Sequence, residues 1–142
     1  MSGHSFGGLT TYRTIPLEPR FKVAVPMAPA VVGSPVLDVP SLTMLGQIDA
    51  VVPLAPIRTA YENALPPKYL VEIANTGHFA FSDGCFASPD CNPPATLTQA
   101  EAHDDVRRWV LPFLKVYLAG DASFMPFLVP PAGPGFVLQS EP

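Results

Sequence analysis

The chain has 142 residues, 48% hydrophobic and 14% charged, which excludes a disordered polypeptide and calls for one domain around a buried core. Eight Lys and Arg against twelve Asp and Glu leave a net charge of -4, so no basic footprint is available for nucleic acid or an anionic membrane surface. Apolar runs are interrupted by Pro or charge well short of the roughly 20 residues that a membrane-spanning helix needs, so no membrane span is expected.

In chain order, the first signal is Gly3-His4-Ser5-Phe6-Gly7-Gly8. It contains Gly-x-Ser-x-Gly, the pattern of a nucleophile elbow, in which a sharp strand-to-helix turn lifts a serine oxygen clear of a sheet. Side chains at Gly3 or Gly7 are expected to collide with neighbouring backbone in so tight a turn. The helix beginning near Phe6 aims backbone N–H groups at any developing negative charge. His4 is expected to pack against the sheet. Phe21 to Val25 reads as a short strand and Ser41 to Leu45 as a second. The second runs into Gly46-Gln47-Ile48-Asp49, which places a carboxylate in the loop just after a buried run. Leu54, Ile57, Tyr61, Ala64 and Leu65 then recur at helical spacing behind Pro53.

Lys68 to Ile73 is a third strand, followed by Thr76-Gly77-His78-Phe79, which puts an imidazole in the corresponding loop. Asp83 is a weaker candidate for the acid. Cys85 and Cys91 lie in a loop with Pro89 between them, and read either as a local disulfide or as two loop thiols. No four-ligand metal spacing is present. Thr98-Gln99-Ala100-Glu101 reads as a capping box opening a helix whose apolar stripe includes Val106, Trp109, Val110, Phe113 and Tyr117. Gly120 ends it. Pro112 falls off the stripe and is expected to bend the helix near Arg108. His103, Asp104 and Asp105 read as a solvated face. Residues 121–142 hold five prolines without helical period and are expected to run as an extended tail.

Strands alternating with helices predict an α/β fold: a short parallel sheet of about three strands with helices on both faces. In such sheets, ligand sites lie beyond the carboxyl ends of the strands, where Ser5, Asp49 and His78 all fall. Their order along the chain, serine then acid then histidine, is that of the α/β-hydrolase triad.

On these residues the chain resembles the C-terminal half of an α/β-hydrolase serine esterase of the dienelactone-hydrolase-like group, which includes platelet-activating-factor acetylhydrolase. Gly3 to Gly8 is similar to the elbow of that group, Leu45 to Pro53 to its acid loop, Thr76 to Phe79 to its histidine loop, and Val110 to Leu128 to its final helix and exit. The resemblance implies that Ser5 is the nucleophile, His78 the general base and acid, and Asp49 the orienting carboxylate. It makes the Phe6 N–H one oxyanion donor. The activity implied is hydrolysis of carboxylic esters through an acyl-serine, without a cofactor, on a small-molecule ester. Thioester, lactone and amide substrates share that chemistry. Phe6, Phe79, Phe81 and Phe86 either line an apolar substrate pocket or belong to the core.

A whole α/β-hydrolase has strands before the elbow, and here only Met1 and Ser2 precede Gly3. Residues 1–142 are therefore expected to form a single partial domain with no strand behind the nucleophile and an open sheet edge near Phe21 to Val25. That edge is expected to drive assembly into a homo-oligomer. One oxyanion donor would be absent, a loss on the order of 10² to 10³ in turnover where such donors have been removed, so activity is expected to be weak and confined to short or activated esters. The alternative is a non-catalytic truncated hydrolase acting at most as an association module. The opening residues lack the basic and apolar regions of a signal peptide, and the compartment is left open between cytoplasm and export.

Overall fold

The computed structural model describes residues 1–33, 35–84, 97–129 and 135–142. Cys85, Phe86 and Cys91 lie outside the described residues. The elements in chain order are β1 (Ser2–His4), α1 (Phe6–Thr14), β2 (Val25–Met27), β3 (Ser41–Gly46), α2 (Leu54–Asn63), β4 (Lys68–Ile73), α3 (Gln99–Tyr117) and β5 (Phe136–Glu141). Short 3-10 helices occupy Ile15–Leu17, His78–Phe81 and Ala122–Leu128. The sheet has five strands in the order β1-β2-β3-β4-β5, of which the first four are mutually parallel and β5 is antiparallel to β4.

Every residue of β3 and β4 is buried, as expected of central parallel strands covered on both faces. Side-chain alternation sorts them. Leu42 and Met44 of β3, with Tyr69, Val71 and Ile73 of β4, meet Trp109 and Phe113 of α3 on one face. On the other face Leu45 and Leu70 meet Ile57 and Tyr61 of α2, while Tyr12 of α1 shares a hydrogen bond of 3.2 Å with Thr43. The one acid on that inner face, Glu72, is satisfied by a bidentate pair with Arg58 of α2 at 2.7 and 2.8 Å. Lys68, 5% exposed, donates to the Glu62 carbonyl and pairs with Glu141 at 3.2 Å. An aliphatic stem covered by protein with a satisfied ammonium accounts for a lysine at so enclosed a position.

The α/β class stands, but the count of about three strands does not. Ser2–His4 forms a strand directly before Ser5, in register with Val25–Met27, so β1 is the edge, and the strand expected at Phe21 to Val25 lies instead at Val25–Met27. Main-chain bonding sets this boundary, since three residues of Gly and polar type carry no period. The expected extended tail is also corrected. Residues Ala122–Leu128 form a 3-10 helix, and Phe136–Glu141 pairs with all six residues of β4. Phe136 and Leu138 pack on the α3 side of the sheet while Val137 points outward, an alternation too short to separate from the Pro-rich stretch before it.

The Thr98 capping box is present, with the Thr98 hydroxyl accepting from the Glu101 amide and the Glu101 carboxylate accepting from the Thr98 amide. Helix α3 continues through Pro112, which is buried beside Trp109 and Phe113 and so belongs to the packed stripe rather than lying off it. Gly120, at φ 73°, turns the chain out of the helix. Phe113 lies at 0% exposure in the largest core cluster. Phe113→Ala is expected to lower stability by about 3 to 5 kcal/mol, read as a fall in the urea midpoint at unchanged slope.

Candidate active site

Ser5 closes a three-residue strand and opens α1 at φ 56°, ψ -116°, a backbone conformation that a side-chain-bearing residue adopts at a cost of about 1–3 kcal/mol. The turn is held by main-chain bonds: the Ser5 amide donates to the Met27 carbonyl at 3.0 Å, and the Ser5 carbonyl accepts from Leu9 and Ala30, each at 3.1 Å. A serine at a helix N-terminus ordinarily caps it with its hydroxyl. Ser5 makes no such bond, so the N–H groups of the first turn, Phe6 foremost, are not occupied by it. A Cβ on Gly3 would sit 2.4 Å from the Gly7 carbonyl carbon and oxygen, whereas one on Gly7 would meet nothing within 4 Å. The steric demand expected at both positions therefore falls on Gly3, and with it on Gly8, whose Cβ would stand 2.7 Å from that of Pro29.

Two strands away, the acid and histidine loops are joined backbone to backbone. Gln47 donates to the Ile73 carbonyl at 3.0 Å and Ile48 to the Thr76 carbonyl at 3.2 Å. The approach is close enough that a Cβ on Gly46 would stand 2.1 Å from the Thr76 carbonyl oxygen. Across this seam His78 Nδ1 meets Asp49 Oδ2 at 2.8 Å. The other carboxylate oxygen, Oδ1, accepts from the amides of Val51 at 2.8 Å and Val52 at 2.9 Å. Both side chains are enclosed, at 2% exposure for His78 and 0% for Asp49. A carboxylate only accepts, so Nδ1 carries the ring proton and Nε2 is the basic nitrogen.

Ser5 and this pair lie at the same end of the sheet, beyond the carboxyl ends of β1, β3 and β4. Two contacts tie them together. His4, the residue before the serine, places its ring 4.5 Å from that of His78, so it packs on the histidine as well as on Phe79 and Phe81, at 6.3 and 6.1 Å. Ser5 also shares a cavity of about 290 Å³ with the acid loop. Its walls come from Ser5 and Phe6 of the elbow, Val31 and Val32 after β2, and Val51 and Val52 beside Asp49. Of the phenylalanines read as candidate pocket residues, Phe6 lines this cavity, while Phe79 borders both histidines and Phe81 borders His4.

Asp83 is exposed, and it is Asp49 that holds His78. His103 does not belong to a solvated face. Its Nε2 lies 3.0 Å from the Ser82 carbonyl, which also accepts from Gln99, so the first turns of α3 hold the chain just past the histidine loop. Its place in the helix gave no sign of this, because the partner is 21 positions earlier. Among the described residues no three His, Cys, Asp or Glu side chains converge as metal ligands, and no helix is long and apolar enough to cross a membrane. Comparison of the chain with protein-family models and with curated protein sequences gives no match.

Gly46 and Gly7 separate the seam from the elbow. Gly46→Ala is expected to part the two loops and abolish the strongly downfield imidazole N–H resonance of an Asp-bonded histidine in proton NMR. Gly7→Ala is expected to keep that resonance.

Proposed function

We propose that the protein is a serine hydrolase of carboxylic esters, built as the C-terminal part of an α/β-hydrolase, with Ser5, His78 and Asp49 as its relay. The observation that carries this reading is the enclosed Asp49–His78 bond of 2.8 Å at the end of the sheet where Ser5 stands on a strained strand-to-helix turn. Structural ion pairs are common, but an enclosed histidine oriented by a carboxylate beside a strained serine is costly to maintain without chemical use.

In this mechanism His78 Nε2 takes the Ser5 Oγ proton as the oxygen attacks the ester carbonyl carbon. The C–O bond to the alcohol then breaks, and the alcohol leaves with that proton. Water enters, gives a proton to the same nitrogen, and its oxygen displaces Ser5 Oγ, which recovers the proton, so the sum is ester plus water to acid plus alcohol. Asp49, with Oδ1 tethered to the Val51 and Val52 amides, fixes the ring tautomer and stabilises the imidazolium. The Phe6 N–H, at the positive end of α1, faces the developing oxyanion.

Hydrolysis of p-nitrophenyl acetate and labelling of Ser5 by a fluorophosphonate are the direct tests. Ser5→Ala is expected to abolish both. Asp49→Asn, which cannot accept from Nδ1–H through its amide nitrogen, is expected to lower turnover on the order of 10⁴-fold while leaving the fold intact. An unlabelled, inactive wild-type protein would instead favour the non-catalytic association module.

We also propose self-association through β1. Among the described residues this strand has one sheet neighbour, β2, and its other edge presents unpaired main-chain groups. Light scattering at micromolar concentration is expected to give a mass at least twice the 15.2 kDa of one chain. A stable monomer contradicts the proposal.

A further inference from the structure

The cavity beside Ser5 carries information about substrate that the relay does not. Among the described residues, every side chain that lines it apart from the Ser5 hydroxyl is a hydrocarbon, and none bears charge. The apolar character continues onto the rim, where Phe6, Val32 and Val51 are 75%, 63% and 49% exposed. The walls belong to the elbow, the chain after β2 and the acid loop, and none comes from the histidine loop. That asymmetry bears on which half of an ester enters. The leaving alcohol must lie on the histidine side, because it takes its proton from His78. The acyl group is the half left to point away from His78.

We infer that this cavity is the acyl subsite and that it takes uncharged hydrocarbon acyl groups while rejecting acyl groups that carry a carboxylate. This rests on the hydrolase reading for the identity of the occupant. Its volume of about 290 Å³ is at the lower limit of the range for small-molecule pockets, which leaves room for a hydrocarbon acyl chain. Among the described residues no lysine, arginine or polar side chain other than Ser5 lines it to compensate a second carboxylate, so seating one there loses its hydration without return. The amides that tether Asp49 belong to Val51 and Val52, whose side chains form part of the wall. The acid is thus held by main chain and the acyl group by side chains of the same two residues. Specificity can change there without the carboxylate losing its anchors.

The test uses a pair with the same carbon chain, one neutral and one charged. Butyranilide and succinanilic acid share the anilide and a four-carbon acyl chain, and neither is expected to turn over. NMR titration of the wild-type protein is expected to show butyranilide binding tighter by on the order of tenfold or more. Val32→Arg, at an exposed rim position, is expected to narrow or reverse that ratio. Equal binding of the two anilides, or preference for the acid in the wild type, overturns the proposal. Turnover of the matching p-nitrophenyl esters is read separately. Selective binding with no ester hydrolysis leaves the apolar pocket standing and sinks the hydrolase, whereas hydrolysis with no binding preference sinks the pocket and leaves the hydrolase.

Discussion

The main-chain seam between the loops after β3 and β4 is the constraint on which the rest of the site depends. Two amide-to-carbonyl bonds and one glycine without room for a Cβ bring backbone against backbone, and the Asp49–His78 contact is a by-product of that register. Six consecutive residue pairs between β3 and β4 set the register from below, and α2, crossing between the two strands, sets it from the side. An ionisable pair placed this way has little freedom to find another arrangement. A side-chain contact on flexible loops would have to be re-formed in each molecule, while this one is inherited from the sheet.

The same logic explains why the residues of the candidate site gather at one end of the molecule. Four parallel strands deliver four loops to their carboxyl ends, and these loops carry the serine, the wall of Val31 and Val32, the acid and the histidine in turn. The amino ends carry structural devices instead, such as Lys68 between the Glu62 carbonyl and Glu141. Helix α3 serves both ends: Trp109 and Phe113 fill the core, while Gln99 and His103 at its start hold the Ser82 carbonyl beyond the histidine loop.

Much of this was legible in the residues because the signals were local. The buried apolar runs of β3 and β4, the period of α2, the capping box at Thr98, the glycine-flanked Ser5 and the acid and histidine just past strand ends all declare themselves within a few positions. What escaped was set by partners distant in the chain. β1 is three residues of weak propensity made a strand by β2. β5 follows a Pro-rich stretch and is a strand because β4 offers it an edge. Pro112 is the exception: three positions after Trp109, it falls on the buried face by helical spacing itself. The steric demand at the start of α1 belongs to Gly8 rather than to Gly7, because the obstruction is Pro29, in the chain just after β2.

The direction of β5 has a practical corollary. Its antiparallel course carries the chain from Phe136, beside Ile73, down to Glu141, beside Lys68 at the amino end of β4. Residue 142 therefore emerges on the side of the domain remote from Ser5 and His78. A tether or affinity handle fused there would fasten the molecule by its base and leave the mouth of the cleft turned toward bulk liquid.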